Sequence, residues 1–203
     1  MKTISTIITM TIAALLITGC DWHTNNTIIG SGEIETMEVP AQDFTGVSVT
    51  GQCNVDIRIG ETQMVEYSAQ RQILDVMTYE VRNGILFIGI KPGYSVNTHK
   101  AISAHIVIPE LSSVAVTGAG DFDLAGSKQS GLDIYITGTG NIDASALEVD
   151  DCTIRISGAG DCDIWVNNTL DIQISGVGNV VYKGSPSLTS DVSGVGNVVN
   201  SGG

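Results

Sequence analysis

Hydrophobic and polar residues alternate along most of this chain, which is the pattern of strands with one buried face. The alternation begins near residue 44 and continues through Val47, Val49, Val55, Ile57 and Ile59. Further strand candidates are segments 65–69, 77–81, 85–90 and 104–108. Asn83-Gly84 separates two of these segments and predicts a tight hairpin. Only segment 72–76 suggests a helix, so the pattern predicts an all-β protein.

One short phrase occurs five times in the second half, as VTGAGDFDL, ITGTGNIDA, ISGAGDCDI, ISGVGNVVY and VSGVGNVVN. The first glycines of these phrases are Gly118, Gly138, Gly158, Gly176 and Gly194, so the steps are 20, 20, 18 and 18 residues. A fixed period in this range indicates structural units that stack on their neighbours. We call each period a repeat and count positions from its first glycine. The segment VSVTGQCNVDI, with Gly51 in the first-glycine place and Cys53 in the second, is a degenerate earlier copy.

Aliphatic side chains recur at positions −4, −2, +4 and +6 of the repeats, which places them on the inner face of strands. The glycines at positions 0 and +2 have the same parity and predict an inward corner without room for a side chain. A repeat of this length accommodates three short strands and their turns. We therefore predict a right-handed parallel β-helix, or solenoid, with coils of 18–20 residues. In the last repeat Ser190 and Asn200 replace aliphatic residues, and we expect them to blunt the terminal edge.

Two outward columns of polar residues carry the candidate chemistry. Position +3 holds Asp121, Asn141, Asp161, Asn179 and Asn197, which can form a ladder between stacked repeats. Position +5 holds Asp123, Asp143 and Asp163. Two carboxylates about 5 Å apart repel by ~3 kcal/mol at an effective dielectric constant of 20, so a cation and simple solvation are both open alternatives. The candidate binding face comprises Asp121, Asp123, Asp143, Asp161, Asp163, Tyr135 and Trp165.

The composition and net charge argue against several classes of function. Hydrophobic residues make up 42% of the chain but aromatic residues only 5%, so Val, Ile and Leu must build the core. The net charge of −13 repels phosphate backbones and argues against nucleic-acid partners. The glycine phrases do not match a nucleotide loop, because no helix follows them, nor the calcium-binding nonapeptide repeat. We predict no cofactor, no bound metal and no enzyme activity; a polysaccharide-cleaving enzyme is the least favoured alternative.

The N-terminal segment predicts an export signal. Lys2 precedes an apolar stretch, and Ile17-Thr18-Gly19-Cys20 resembles the bacterial lipobox. This resemblance implies a lipoprotein signal peptide over residues 1–19 and lipid attachment at Cys20, which would hold the protein on a membrane. Asp21 resembles a signal for retention at the periplasmic face of the inner membrane; the outer membrane and the cell surface remain alternatives. Residues 20–32 are polar and predict a flexible tether.

Three cysteines follow Cys20, and an odd number leaves at least one unpaired within the chain. Cys162 lies in the column of Phe122 and Ile142, and Cys152 lies in a column of leucines. Both replace apolar residues, so we expect buried free thiols. A Cys152–Cys162 disulfide is the alternative, and it needs Cα atoms within about 7 Å.

The glycine phrases, together with GSGEIET, VPAQDFTGVSVTG and EVRNGILFIGI, resemble the family of "putative autotransporter adhesin, head GIN domain" proteins over roughly residues 30–200. The resemblance implies one β-solenoid domain over residues 33–203, with an irregular cap over 33–110 and regular coils over 111–203. It also implies a lipid-anchored cell-envelope protein that presents a rigid surface for adhesion to a glycan, an envelope polymer or a protein. The alternatives are a structural module that pairs through the solenoid ends and a cation-stabilised β-helix. The ligand and the oligomeric state are left open.

Overall fold

The structure is a computed structural model, and it describes residues 26–202. In these residues the elements are β1 (Asn26–Ile29), β2 (Ile34–Glu38), β3 (Gly46–Val49), β4 (Asn54–Ile59), β5 (Met64–Gln70), α1 (Arg71–Leu74), β6 (Met77–Arg82), β7 (Ile85–Ile90), β8 (Tyr94–Asn97), β9 (Ser103–Ile108), β10 (Ser113–Val116), β11 (Phe122–Ile136), β12 (Ile142–Ile156), β13 (Cys162–Ile174), β14 (Val180–Lys183), β15 (Ser187–Val192) and β16 (Val198–Asn200). The prediction of an all-β protein is confirmed. No helix within residues 26–202 is long and apolar enough to cross a membrane.

Most strands of the described residues belong to one mixed, curled sheet of 14 strands, and β1 and β8 form a separate parallel pair. The long path through the large sheet has the order β16-β14-β13-β12-β11-β10-β3-β7-β6. Pairing is parallel from β7 through β16 along this path, whereas β6 pairs antiparallel with β7. The antiparallel strands therefore lie at the N-terminal end of the stack.

The repeats pair in the register that the glycine phrases predict. Ile134 is opposite Ile154, which is opposite Ile172, and Phe122, Ile142 and Cys162 align in the same way. These side chains are buried, and with their equivalents in other repeats they form one continuous core. Alternate residues point to opposite faces of a strand, so the same register places the position +5 carboxylates outside. The hydrophobic column and the outer polar columns are thus two consequences of one pairing.

Strand length differs from the prediction of three short strands in each repeat. β11 and β12 each run for 15 residues and β13 for 13 residues. Register shifts between Asp123 and Gln129, and between Ala144 and Asp151, interrupt the pairing without ending the strands. Such irregularities bend a strand locally. One long bent strand therefore replaces the predicted succession of separate strands in β11, β12 and β13, whereas the last repeats contain the short strands β14, β15 and β16.

The glycine corners have no room for a side chain, as predicted, but the reason differs from the prediction. Gly118 and Gly138 are half-buried rather than facing the core. A Cβ atom at Gly138 would collide with the backbone oxygen of Gly118, and one at Gly158 with that of Gly138. The close approach of successive backbones, rather than a narrow interior, excludes side chains at these positions. Among the glycines of the five phrases, only Gly120 and Gly140 have a φ in the range that favours glycine, at 152° and 154°.

The cap, residues 33–110, contributes strands that pair directly with the regular repeats, which the sequence did not predict. β3 pairs in parallel with β10, and β4 with β11, so the degenerate copy is a full member of the stack. β7 and β9 pair in parallel with the other edges of β3 and β4. The segment that comes later in the sequence therefore lies further from the regular repeats. The hairpin at Asn83-Gly84 is confirmed, with φ values of 51° and 74°, and α1 is close to the predicted helix.

Part of the predicted tether is ordered. Residues 26–29 form β1, which pairs in parallel with β8 from Asn26 opposite Tyr94 to Ile29 opposite Asn97. The backbone N–H of Gly30 also donates to the carbonyl of Asn97 at 2.9 Å. Backbone pairing thus fixes a polar segment that composition alone predicts to be flexible. The signal peptide, Cys20 and Asp21 lie outside the described residues.

Candidate functional site

Position +3 forms a continuous ladder of hydrogen bonds that joins six successive members of the stack. In each step a side-chain Oδ1 accepts a hydrogen bond from the backbone N–H of the equivalent residue in the next member. The steps are Asn54 to Asp121 (3.1 Å), Asp121 to Asn141 (2.7 Å), Asn141 to Asp161 (2.9 Å), Asp161 to Asn179 (2.6 Å) and Asn179 to Asn197 (3.1 Å). Asp and Asn are the residues whose short side chains supply an acceptor at this reach. Asp121 and Asp161 therefore have a structural role, although both are exposed.

Position +5 forms an acidic stripe of four residues, one more than the sequence predicted: Asp56, Asp123, Asp143 and Asp163. The three predicted members lie on β11, β12 and β13, and Asp56 lies on β4 directly opposite Asp123. Asp56 is not evident from the repeat pattern, because Cys53 replaces the second glycine in its segment. Its position two residues after Asn54 could have identified it, since Asn54 aligns with Asp121.

Arg58 neutralises one end of the stripe. Arg58 contacts two neighbouring members, with Nη2 at 2.7 Å from Asp56 Oδ2 and Nη1 at 2.6 Å from Asp123 Oδ1. His105 Nδ1 lies 3.3 Å from Asp56 Oδ1. Arg58 follows Asp56 by two residues on the same strand face, which brings it within reach of both carboxylates. The repulsion expected along the stripe is thus relieved at this end by a guanidinium group.

The other two members of the stripe have opposite electrostatic environments. Hydrogen bonds from Ser145 lower the pKa of Asp143; the Ser145 backbone N–H donates to Asp143 Oδ1 at 3.0 Å. Desolvation raises the pKa of Asp163, and the charges of Asp143 and Asp161 add to this effect. The carboxylate of Asp163 is therefore less stabilised than that of Asp143. Asp163 lies at the end of the stripe remote from Arg58.

A groove of about 430 Å³ runs between the ladder and the acidic stripe. Its lining includes Asn54, Asp56, Asp121, Asp123 and Asp143, whereas the side chains of the adjoining Val55 and Phe122 are buried in the core. In residues 26–202 no group of three or more His, Cys, Asp or Glu side chains is arranged to hold a metal ion. What the groove offers chemically is a row of carboxylate acceptors for a ligand that carries positive charge or several hydrogen-bond donors.

The two predicted aromatic residues do not belong to one site. Trp165 follows Asp163 by two residues on β13, is opposite Lys183 on β14, and is 40% exposed. Tyr135 is 39% exposed and lies near the other end of β11, opposite Arg155 on β12. A register shift separates the two ends of β11, and they carry different outward columns. Trp165 therefore borders the acidic stripe, whereas Tyr135 belongs to a second surface.

The three cysteines of the described residues are free and buried. Burial raises the pKa of the Cys53 thiol to about 12, and it also raises the pKa of Cys152 and of Cys162. Thiolates are the reactive form of cysteine, so these side chains are poor nucleophiles in the folded protein. They act as small apolar core residues, as their columns predicted.

Comparisons with known proteins agree with this architecture. A family model described as "Putative auto-transporter adhesin, head GIN domain" matches residues 43–143 and 113–186. A search of curated proteins gave no match. A "putative adhesin" from Bacteroides fragilis NCTC 9343 has a solved structure that is 19% identical, with a TM-score of 0.57; the match covers 85% of this chain and 99% of that chain. This likeness shows a shared fold.

Two further solved structures are similar at lower scores. A "putative lipid binding protein" from Parabacteroides distasonis ATCC 8503 is 17% identical, with a TM-score of 0.45 and coverage of 86% of this chain and 99% of that chain. A "putative cell adhesion protein" from Clostridium sporogenes ATCC 15579 is 13% identical, with a TM-score of 0.44 and coverage of 84% and 99%. Because the family model matches well over half of the sequence, the chain belongs to the "Putative auto-transporter adhesin, head GIN domain" family.

Proposed function

We propose that this protein is a lipid-anchored, non-catalytic adhesin of the bacterial cell envelope, in which a right-handed parallel β-solenoid presents a rigid binding surface. The observation that carries the proposal is the register of the acidic stripe. Parallel pairing repeats the same outward carboxylate on β4, β11, β12 and β13. Evenly spaced identical groups suit a ligand that is itself repetitive or extended.

The solenoid part of the proposal is supported by pairing between equivalent residues of consecutive repeats. Ala119, Thr139, Ala159, Val177 and Val195 form a row of parallel bridges at the glycine corners. Strands on both sides of these corners pair with their equivalents, so each repeat turns by the same path. Right-handedness follows from the strong preference of parallel crossovers.

The binding part is supported by the charge and accessibility of the groove. Its carboxylates would attract amino groups of an envelope polymer or a basic segment of an envelope protein, and would repel anionic polymers. Trp165, at the border of the stripe, adds a flat apolar surface of the kind that packs against sugar rings or methylene groups. We therefore propose a cationic or amino-bearing ligand for this face.

A binding screen tests this function. The full chain carrying Cys20→Ser is applied to an array of neutral, anionic and amino-bearing glycans, and to immobilised basic peptides. We expect binding to amino-bearing glycans or basic peptides that weakens about tenfold in Asp123→Asn/Asp143→Asn, as the loss of charge contacts implies. Asp133→Asn is the matched control, because Asp133 is exposed on another part of β11. Binding only to neutral or anionic ligands, or equal binding by both variants, would overturn the proposed face.

The anchor is tested separately. Cys20→Ser in the full chain is expected to move the protein from the membrane fraction to the soluble fraction of lysed cells, because several acyl chains are needed for stable anchoring. Separation of inner and outer membranes then tests the location that Asp21 favours. Membrane retention of Cys20→Ser equal to that of the parent would count against lipidation.

A further inference from the structure

The C-terminal end of the stack carries a strand that is paired on one edge. In residues 26–202, β15 pairs in parallel with β13, and its other edge has no partner. All six residues of β15 are exposed. Leu188 and Val192 continue the buried columns of Leu170 and Ile174, yet each is 40% exposed. Apolar core positions and backbone groups are therefore available together at this edge.

The backbone groups that face this edge are identified by the preceding repeats. The carbonyl of Ser112, at position −6, accepts from the Asp133 N–H at 2.9 Å, and the carbonyl of Ile174, at position −2, accepts from the Ser193 N–H at 2.9 Å. In a parallel strand alternate residues direct both backbone groups to the same neighbour. Leu188, Ser190 and Val192 occupy positions −6, −4 and −2 of the last repeat. Their N–H and C=O groups thus point away from β13.

Leu188, Ser190 and Val192 are apolar, polar and apolar, so their order is the same when it is read in either direction along the strand. An antiparallel pair centred on Ser190 places Leu188 opposite Val192 of a second copy and Ser190 opposite Ser190 of that copy. The same register forms closely spaced hydrogen-bonded pairs at all three positions, about six backbone hydrogen bonds in total. Thr189 then faces Asp191 of the second copy, so no two like charges are directly opposed.

We propose that β15 is a homophilic docking edge, at which two copies of this chain pair antiparallel about a two-fold axis through Ser190. The axis is normal to the sheet, so Leu188 and Val192 of both copies lie on the same inner face and cover one another. A two-fold contact closes on itself and limits the assembly to a dimer. β15 also lacks the lysine and proline residues that commonly protect exposed edges. The expectation that Ser190 blunts this edge is replaced in the proposal, because the two-fold axis pairs Ser190 with the equivalent hydroxyl group of the second copy.

The docking edge lies at the end of the molecule opposite the N-terminal cap. β1 and α1 lie at the cap end, whereas β15 and β16 lie at the opposite end of the sheet order. In a protein anchored through its N-terminus, the docking edge would face away from the membrane. Pairing of two copies through β15 would then join the two membranes to which the copies are anchored. This adhesive role rests on the proposed function, but the dimer itself does not depend on the anchor or on the acidic groove.

Disulfide trapping tests the contact directly. Ser190→Cys in the full chain, with Cys20→Ser to remove the thiol outside the described residues, places two thiols at Cα atoms about 5.5 Å apart across the proposed axis. We expect a disulfide-linked dimer to form about tenfold faster than with Ser130→Cys, because pairing raises the local thiol concentration. Ser130 is an exposed serine on β11, which is separated from β15 by β12 and β13. The native thiols of Cys53, Cys152 and Cys162 are buried and do not compete. Equal rates for the two variants would overturn the proposal.

Sedimentation of the Cys20→Ser chain provides a second measurement without oxidation. Val192→Lys should raise the dimer dissociation constant about tenfold or more, because it places an ammonium group at an apolar contact. Ile34→Lys is the control, since Ile34 is an apolar residue that is 44% exposed on β2, at the cap end. A parent protein that remains monomeric, or an equal effect of both substitutions, would overturn the docking edge. Glycan binding in either case remains a separate result for the acidic groove.

Discussion

Asp121 Oδ1 accepts a hydrogen bond from the backbone N–H of Asn141 at 2.7 Å, one repeat further along the chain. Asn141 makes the equivalent bond to Asp161 at 2.9 Å. The ladder therefore alternates charged and neutral acceptors in this region, which keeps the two carboxylates from being direct neighbours. Every backbone N–H that the ladder serves lies at a corner, where the strand pairing is interrupted.

Two replacements of Asn141 should separate the contribution of the ladder's hydrogen bonds to stability from the effect of charge repulsion along the ladder. Asn141→Ala removes the acceptor for the Asp161 N–H, and we expect a loss of about 1–2 kcal/mol in the free energy of unfolding. Asn141→Asp retains the acceptor but places three carboxylates in succession, so its loss should grow at low ionic strength and diminish below the carboxylate pKa range. Urea unfolding at two salt concentrations measures both effects. A salt-independent loss in Asn141→Asp would contradict this account.

The corner glycines should tolerate no side chain. In Gly138→Ala the new Cβ atom would overlap the backbone oxygen of Gly118, which cannot move without disturbing the neighbouring repeat. We expect a loss of about 3 kcal/mol or more, because a backbone clash cannot be relieved by a change of rotamer. Gly131→Ala is the control, since the nearest atom to its Cβ would be the Asp151 oxygen at 3.8 Å. Thermal unfolding of the two variants compares them, and equal melting temperatures would argue against close repeat packing.

Two identical substitutions in the acidic stripe should have opposite effects on stability. The lowered pKa of Asp143 means that its charge stabilises the fold above its unfolded-state pKa, and that this contribution is lost as pH falls through the folded-state value. The raised pKa of Asp163 means that its contribution is present at low pH and is lost as pH rises through the folded-state value.

At about pH 7, Asp143→Asn should therefore destabilise the protein and Asp163→Asn should stabilise it, each by less than about 1 kcal/mol because both side chains are largely exposed. Both differences should shrink at acidic pH, where the parent carboxyl groups are protonated. Urea unfolding across this pH range measures the two curves. Shifts of the same sign at neutral pH would contradict the assigned environments.

The buried cysteines should react only when the protein unfolds. With Cys20→Ser, we expect Cys53, Cys152 and Cys162 to resist alkylation in the folded protein and to react together in denaturant, because burial disfavours the thiolate. Cys162→Val should be tolerated within about 1.5 kcal/mol, as Val180 occupies the same column. Cys162→Ser should cost about 1–3 kcal/mol through its buried hydroxyl group. Rapid alkylation of the native protein, or equal stability of the two variants, would be the contrary result.

The columns of the repeat were predictable from the sequence because pairing in register preserves parity. Once Gly118 and Gly138 are aligned, Asp123 must pair with Asp143, and the alignment of Gly138 with Gly158 pairs Ile134 with Ile154 in the same way. The ladder and most of the acidic stripe follow from this alignment. Arg58 could not be placed, because its role depends on which strand lies beside β4.

The sequence by itself determined the all-β class, the register of the repeats, the buried columns and the outward carboxylates, since all four depend on local alternation and a fixed period. Only the tertiary structure decided the order of the first half, where β3 and β4 lie between β7 and β9 on one side and β10 and β11 on the other. That order depends on contacts between segments far apart in the sequence, for which no periodicity exists. The same contacts bring Arg58 to Asp123, and the end of the stacking leaves Leu188 and Val192 uncovered at β15.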